Sequence, residues 1–284
     1  MSGRSSPKAA GAQEPLRPMG RRVKTIVITV LALFLIPLAL HAAIYLGKEH
    51  PANYQQADWS STGMLPAAAA DRDARLLVFT ARTGRWKGIF AVHSWVVFKP
   101  ANATRWSRYD VVGWGQPVRT NGWDPDGRWF GDTPRVLVDI KGAEADALIP
   151  KVKSAIAAYS YSNAGDYRVW PGPNSNTFVA TVLRAVPELE TALPPNAVGK
   201  DFRPGLYAGP SDSRTGIEAS LYGVLGFKVG WVEGIEVNFL GLVAGLDLRH
   251  PGVKLPGFGR IGMDDGTAVA APVVSPARMQ ARGH

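Results

Sequence analysis

The 284-residue chain carries 46% hydrophobic residues, enough to bury a large core, and it contains no cysteine. The lack of cysteine excludes disulfides, thiolate nucleophiles and cysteine-based zinc sites. The net charge is +9, but +5 of it precedes the first apolar run, so the basic balance indicates membrane topology and not nucleic-acid binding. The charged residues of this leading segment are Arg4, Lys8, Glu14, Arg17, Arg21, Arg22 and Lys24.

The N-terminal region predicts a single membrane anchor. Residues 1–22 are rich in Ser, Pro, Gly and Ala and predict a disordered basic tail. Residues 23–46 predict a transmembrane helix, because about 20 apolar residues suffice to span the hydrocarbon core. Basic residues before this run favour a cytoplasmic N-terminus, with the rest of the chain outside the cytoplasmic (inner) membrane.

A cleaved signal peptide is the alternative interpretation of the same run. Ala39, Ala42 and Ala43 offer small residues for a peptidase. The apolar run is longer than a usual signal core, and Leu40-His41 is a poor cleavage context, so an uncleaved anchor is favoured. Both interpretations deliver the remaining chain across the membrane.

An α+β domain is predicted over residues 76–262, after a juxtamembrane linker at 47–75 and before a flexible tail at 263–284. Its expected architecture is a mostly antiparallel sheet packed with two or more helices. Strands are predicted at Leu76–Ala81, Ile89–Phe98, Trp106–Trp114 and Arg135–Ile140.

Two helices are predicted in the second half of this domain. The first covers Ala143–Tyr159 and falls into two pieces if Pro150 breaks it. The second starts near Asn174 and ends at Pro187. A wrapping loop follows, and residues 217–248 predict two or three strands that close the sheet. Charges in the middle of that segment disfavour a second membrane span.

The turn before the second helix is the candidate site. Pro171-Gly172-Pro173 leads into Asn174-Ser175-Asn176 at the helix start, where backbone N–H groups are unpaired and the helix dipole is positive. A nucleophile or an anion could lie there. Ser and Asn are also the preferred capping residues, so an ordinary capped helix is the competing interpretation. His93, on a buried strand, could likewise be a core imidazole.

Two resemblances follow from these motifs. His93-Ser94 on a strand, followed by Asn174-Ser175-Asn176-Thr177-Phe178 at a helix start, resembles the permuted NlpC-type papain-like superfamily, which includes PPPDE peptidases and the lecithin–retinol acyltransferase class. The region from Leu76 to about Gly262 also looks like an uncharacterised bacterial membrane-protein family, a domain of unknown function. It does so through the stretches HSWVVFKP, PGPNSNTF and LPPNAVGKDF.

The first resemblance implies a permuted papain-like fold with His93 as base and Ser175 in the position of the usual cysteine. A cysteine there ionises readily, whereas a serine needs a true general base and an oxyanion hole, to which the N–H groups of Ser175 and Asn176 could contribute. Either Tyr109 or Asp110 could orient the imidazole, and spacing does not choose between them.

Two functions are therefore predicted. The favoured one is a non-catalytic relative that binds a peptide, cell-wall or lipid ligand, because the usual nucleophile is missing. The alternative is a serine-dependent hydrolase or acyltransferase. Asn174, Asn176, Trp95 and Trp170 are the candidate ligand contacts. No cofactor and no metal are predicted, since the Asp-rich turn at 124–127 lacks the further ligands of a calcium loop.

Overall fold

An apolar helix, α1 (Met19–Leu46), begins the computed structural model, which describes residues 19–263. The helix continues through Pro37 and starts four residues before the predicted bound. Within residues 19–263, the segment Gly20–Leu46 is the one helix long and apolar enough to cross a membrane, a test that a signal sequence also passes. Residues 1–18 of the predicted tail, and residues 264–284 of the predicted C-terminal tail, lie outside the described residues.

One stripe of α1 packs against the rest of the protein. Side chains before Phe34 are mostly exposed, whereas Phe34, His41 and Tyr45 are buried and follow the spacing of one helix face. The Phe34 ring lies 5.8 Å from that of Phe239, and the Tyr45 hydroxyl donates to the carbonyl of Arg85 at 2.9 Å. Only the second half of α1 therefore packs against the globular part of the protein.

The segment 47–75, predicted as a juxtamembrane linker, contacts the globular part. Asp126 is buried and accepts hydrogen bonds from the Ser61 hydroxyl at 2.6 Å and from the backbone N–H of Met64 at 2.7 Å. Trp59 packs against the hydrophobic cluster that contains Met64 and Trp129. The Asp126-Gly127 turn predicted from the sequence thus has a structural role, because a buried carboxylate needs several donors.

The first sheet has five antiparallel strands in the order β4-β3-β2-β1-β5. They are β1 (Arg75–Arg82), β2 (Val92–Lys99), β3 (Ser107–Val111), β4 (Val118–Thr120) and β5 (Arg135–Lys141). β4 was not predicted, since three residues are too few to show a pattern. Ile89, the predicted start of the second strand, is instead the last residue of a 3₁₀ turn (Arg85–Ile89) that packs against α1, and the strand begins at Val92.

Two helices cover one face of this sheet. α2 (Gly142–Ala157) is a single helix through Pro150 and not two pieces, because its buried residues on both sides of the proline pack into one core. α3 (Ser175–Ala185) packs against α2 and β2. The α+β class with antiparallel sheets is thus confirmed.

The second sheet departs most from the prediction of two or three strands that complete the first sheet. Seven strands form a separate antiparallel meander, in chain order from β6 to β12. They are β6 (Leu206–Pro210), β7 (Gly216–Leu221), β8 (Leu225–Gly230), β9 (Gly234–Phe239), β10 (Leu242–Asp247), β11 (Gly252–Leu255) and β12 (Gly259–Gly262). These strands have only four to six residues each, so the sequence pattern merges them into fewer, longer units.

The two faces of this meander differ sharply in polarity. The inner face buries charged side chains, among them Glu218, Lys228, Glu236 and Lys254. The register assigns one set of residues to the opposite face, here called the outer face, and none of them has a polar side chain. The outer face comprises Leu206, Ala208, Pro210, Ile217, Ala219, Leu221, Leu225, Phe227, Val229, Ile235, Val237, Phe239, Leu242, Ala244, Leu246, Val253, Leu255, Gly259 and Ile261.

Candidate functional site

A cavity of about 540 Å³ lies between the start of β2, the end of β3, the start of α3 and the β9–β10 turn. Its walls are mainly aromatic and aliphatic. The aromatic wall residues include Trp86, Trp114, Trp129, Phe130, Tyr167 and Trp170. Both His93 and Ser175 line this cavity, so the two residues that the sequence pairs do share one space.

His93 lies at the start of β2 and is only 3% exposed. Its Nε2 is 2.8 Å from Oδ1 of Asp110, and its ring stacks on Trp129 with centroids 3.6 Å apart. Burial lowers the pKa of His93, against the opposing effect of the Asp110 carboxylate, so the imidazole is neutral at pH 7. Because the carboxylate only accepts hydrogen bonds, Nε2 carries the proton and Nδ1 retains a lone pair.

Asp110, and not Tyr109, orients the imidazole. Arg108 donates to both Asp110 oxygens, at 2.7 and 2.9 Å. The side chains of His93, Asp110 and Arg108 are all buried. Burial raises the pKa of Asp110, but the Arg108 guanidinium outweighs it and holds that pKa below its ordinary value. Tyr109 points to the other side of β3 and stacks on Phe98, with ring centroids 5.5 Å apart.

Arg108 is the functional candidate that the sequence analysis missed. It could have been found, because residues two apart on a strand share a face, and Arg108 and Asp110 are so spaced. Trp129, which stacks on the imidazole, follows a turn and gives no such signal. Within residues 19–263 no group of three or more His, Asp or Glu side chains could hold a metal ion.

The start of α3 is a capping box built on Asn174. Its Oδ1 accepts from the N–H of Asn176 at 2.9 Å and of Thr177 at 3.2 Å, and Thr177 Oγ1 accepts from the Asn174 N–H. Ser175 is the first helical residue, and neither its hydroxyl nor its N–H has a hydrogen-bond partner within the described residues. Asn174 therefore caps the helix and leaves Ser175 available.

The Asn176 amide is committed to holding α3 on the sheet. Its Oδ1 accepts from the Ser94 hydroxyl at 2.8 Å, and its Nδ2 donates to the carbonyls of Val92 and Val198, both at 2.9 Å. Its N–H is bound to Asn174 and is not free for an oxyanion. Donation from the Asn176 Nδ2 to a ligand would require breaking one of its two bonds.

His93 and Ser175 approach the cavity from different faces of the first sheet. Successive strand residues point to opposite faces, and the Asn176–Ser94 hydrogen bond puts α3 on the Ser94 face. No hydrogen bond joins His93 to Ser175 within the described residues. The two side chains are therefore connected only by the cavity that both of them line, at the start of β2.

The two tryptophans proposed as ligand contacts have different environments. Trp95 is fully buried, donates from Nε1 to the carbonyl of Pro125 at 3.0 Å, and does not line the cavity. Trp170 is half exposed, lines the cavity, and donates from Nε1 to the carbonyl of Leu240 at 2.9 Å. Only Trp170 is placed to touch a ligand.

The position of Asn174 depends on Gly199, which gives a testable prediction. Gly199 has φ +96°, and a Cβ there would lie 2.3 Å from Asn174 Nδ2, which donates to the carbonyls of Val169 and Val198. Gly199→Ala should therefore displace Asn174, weaken its capping of α3 and strain the backbone at residue 199. We expect the free energy of unfolding, measured by urea titration, to fall by roughly 2–4 kcal/mol.

Gly165→Ala is the matched control for this prediction. Gly165 has φ +93°, and a Cβ there meets nothing within 4 Å. It should show only the strain, about 1–2 kcal/mol. Equal losses in the two variants would mean that the contact with Asn174 has no energetic role.

The comparison with family models adds one finding. Residues 73–202 match the family described as a protein of unknown function, DUF3750. The DUF3750 match includes β1 to β5, α2, α3, His93, Asp110 and Ser175, and it excludes α1 and the whole second sheet. No curated protein and no solved structure matches the chain. The expected domain of unknown function is thus supported, whereas the papain-like resemblance receives no support from these comparisons.

Proposed function

We propose that the protein is a membrane-anchored module, of the permuted papain-like type, that binds an acyl chain of a membrane lipid in the cavity beside Ser175. The observation that carries this proposal is an apolar, aromatic-walled cavity bordered by segments that contact α1. Basic residues before the apolar span favour a cytoplasmic N-terminus, with the cavity on the outer side of the cytoplasmic membrane.

The position of the cavity relative to α1 favours a lipid. The 3₁₀ turn at Arg85–Ile89 lines the cavity and receives a hydrogen bond from Tyr45 of α1. Leu240 and Leu242 also line it, next to Phe239, which contacts Phe34 of α1. We infer that an acyl chain enters from the side of α1, where Leu240 and Leu242 form an apolar part of the cavity wall.

The sparse polar groups of the cavity favour a lipid over a peptide or a glycan. Within the described residues, the Ser175 hydroxyl and N–H have no hydrogen-bond partner and His93 offers Nδ1, while the Asn174 and Asn176 amides are already bonded internally. The charged lining residues Arg85 and Lys87 lie together on the 3₁₀ turn next to α1. A glycan or peptide has many groups that need hydrogen-bond partners on burial. An acyl ester needs few, and they lie together at one end.

A diazirine-tagged phospholipid in nanodiscs tests this proposal. Cross-linking of the full chain should occur at cavity residues 167–175 and 240–242 and along α1. Val198 lines the cavity and is partly buried, so Val198→Trp should fill the space and abolish cavity cross-links, while Val198→Ala retains them. Cross-linking of α1 is the internal reference. Its persistence in the wild type without cavity cross-links would refute lipid binding in the cavity.

A second candidate function, serine-dependent acyl transfer, is favoured by one arrangement. Among residues 19–263, Nδ1 of His93 has no hydrogen-bond partner, and neither has the Ser175 hydroxyl, which lines the same cavity. In such a step Ser175 attacks the ester carbonyl and its proton passes to His93. The Ser175 N–H and the positive end of α3 stabilise the oxyanion. The proton then goes to the departing alcohol, and water or another acceptor releases the acyl group.

A further inference from the structure

The second sheet has the polarity expected of a surface in contact with lipid. A sheet with one face in water normally directs its apolar side chains inward. Here the outer face is apolar at every position, and its large side chains are widely exposed, with Ile217 at 59% and Phe227 and Val237 at 46%. An exposed apolar surface of this extent is rare on soluble monomers.

The inner face of the second sheet is held by buried ion pairs and cannot be the face that contacts lipid. Lys228 contacts Asp201, Asp212 and Glu218 within 3.5 Å, and all four side chains are buried. Apolar-outward and polar-inward alternation is the pattern of strands that face hydrocarbon. The outer-face positions are apolar along all seven strands, so the apolar outer face is a property of the whole sheet.

The contact with α1 indicates the depth at which the outer face lies. Phe34 touches Phe239 on the outer face, and Ala244, also on that face, is only 2% exposed next to α1. Phe34 lies about 18 Å from Leu46 along the helix, at 1.5 Å per residue. It therefore occupies the middle of the apolar span and not its end.

We propose that the outer face of β7–β11 lies in the hydrocarbon of the bilayer beside α1, so that a sheet as well as a helix holds the protein in the membrane. This inference rests on α1 being the anchor of the proposed function, but it does not depend on the ligand of the cavity. The occupant of the outer face is lipid because that face is continuous with the exposed apolar surface of α1.

Strand length and strand pairing limit the depth of insertion. The strands have four to six residues, and a membrane-spanning strand needs about 9–11. β6 and β12 are edge strands within the described residues, and hydrocarbon offers no partner to their backbone groups. The sheet therefore does not cross the bilayer, and the proposed lipid-facing region leaves out the edge strands β6 and β12.

The turns of the meander support this placement. The turns on the α1 side, at 222–224, 240–241 and 256–258, contain no charged residue. The turns at the opposite ends of the strands contain Arg214, Trp231 and Arg249, whereas the acidic Asp212 and Glu233 of the same turns are buried. Basic residues and tryptophan are typical of the membrane–water interface.

Because the chain has no cysteine, single-cysteine spin labels can test this in the full-length protein in nanodiscs. Phe227→Cys and Val237→Cys report the outer face, Ile28→Cys reports the exposed side of α1, and Glu188→Cys reports the aqueous surface. We expect labels at 227 and 237 to match 28, accessible to oxygen and protected from a water-soluble nickel chelate. The label at 188 should be open to the chelate. Unchanged tryptophan emission checks the fold of each variant.

Three outcomes would overturn the inference. Labels at 227 and 237 that are open to the nickel chelate, with 28 protected, would put the sheet in water and leave the anchor intact. Labels protected from both reagents and broadened by spin–spin coupling would mean that two copies pair through this face. Access of the nickel chelate to the label at 28 as well would show that α1 is not in the bilayer. It would refute both the membrane anchor of the proposed function and this inference.

Discussion

Replacing Lys228 by Met is expected to lower the free energy of unfolding by about 3–5 kcal/mol. The Lys228 Nζ lies 2.8 Å from both Asp201 Oδ1 and Asp212 Oδ2, and all three side chains are buried. Methionine has a similar length but no charge, so the loss comes from carboxylates left without their cation. Urea unfolding followed by tryptophan fluorescence measures it.

Lys151→Met is the matched control for the loss of a lysine charge. Lys151 pairs with Glu188 at 2.5 Å, but both side chains are about half exposed. Exposed pairs contribute about 0–1 kcal/mol, because water solvates both charges when the pair breaks. Similar losses for Lys228→Met and Lys151→Met would show that the buried network does not stabilise the sheet.

The same variant has a predicted dependence on pH. Burial raises the pKa of Asp212, but Lys228 and Arg203 outweigh it and hold that pKa below its ordinary value of 3.8. A carboxyl with a lowered folded-state pKa stabilises the fold above pH 3.8, and this contribution disappears as the pH falls through the folded-state value. In Lys228→Met the burial that raises this pKa is no longer offset by the lysine, so the stability difference between wild type and Lys228→Met should narrow as the pH falls and the buried carboxylates are protonated.

If Ser175 is a nucleophile, a fluorophosphonate probe should label it, and His93→Ala should slow labelling by about 10²–10⁴-fold, because the hydroxyl then lacks its general base. Ser175→Ala should abolish labelling. The rate should be constant near neutral pH and fall as His93 is protonated, at a pKa that burial lowers from 6.5. Mass spectrometry of the labelled peptide identifies the site.

Two neighbouring residues provide the matched comparison. Asp110→Asn should slow labelling, because the amide does not hold Nε2 protonated as the carboxylate does. Tyr109→Phe should leave the rate unchanged, since the phenol lies on the other side of β3. Equal rates in wild type and His93→Ala would refute the serine mechanism while leaving lipid binding as the function.

Apart from the pairing of His93 with Ser175, which came from the papain-like resemblance, the candidate site was predictable only where it depends on residues close in the chain. Asn174 as a helix cap follows from a preference for Asn at that position, and the structure contains that cap. The choice of Asp110 over Tyr109 depends on which face of β3 packs beside β2, and spacing alone did not give it. The commitment of the Asn176 amide to Ser94 joins residues 82 positions apart, beyond any local pattern.

The second sheet shows the same limit in the fold. Alternation along residues 217–248 indicated antiparallel strands, but an alternating run reads equally well with the charged side inward or outward. Pairing with neighbouring strands and burial of Lys228 with Asp201 and Asp212 determine which side is inner.

By itself the sequence determined the apolar span of α1, the capped start of α3 and the antiparallel α+β class, because spacing along a few turns or strands controls each of them. Only the tertiary structure decided that His93 and Ser175 line one cavity, that Arg108 supports Asp110, and that the second sheet is apolar outside. The physical reason is that these features arise from contacts between segments far apart in the chain, and many such pairings satisfy the same local pattern.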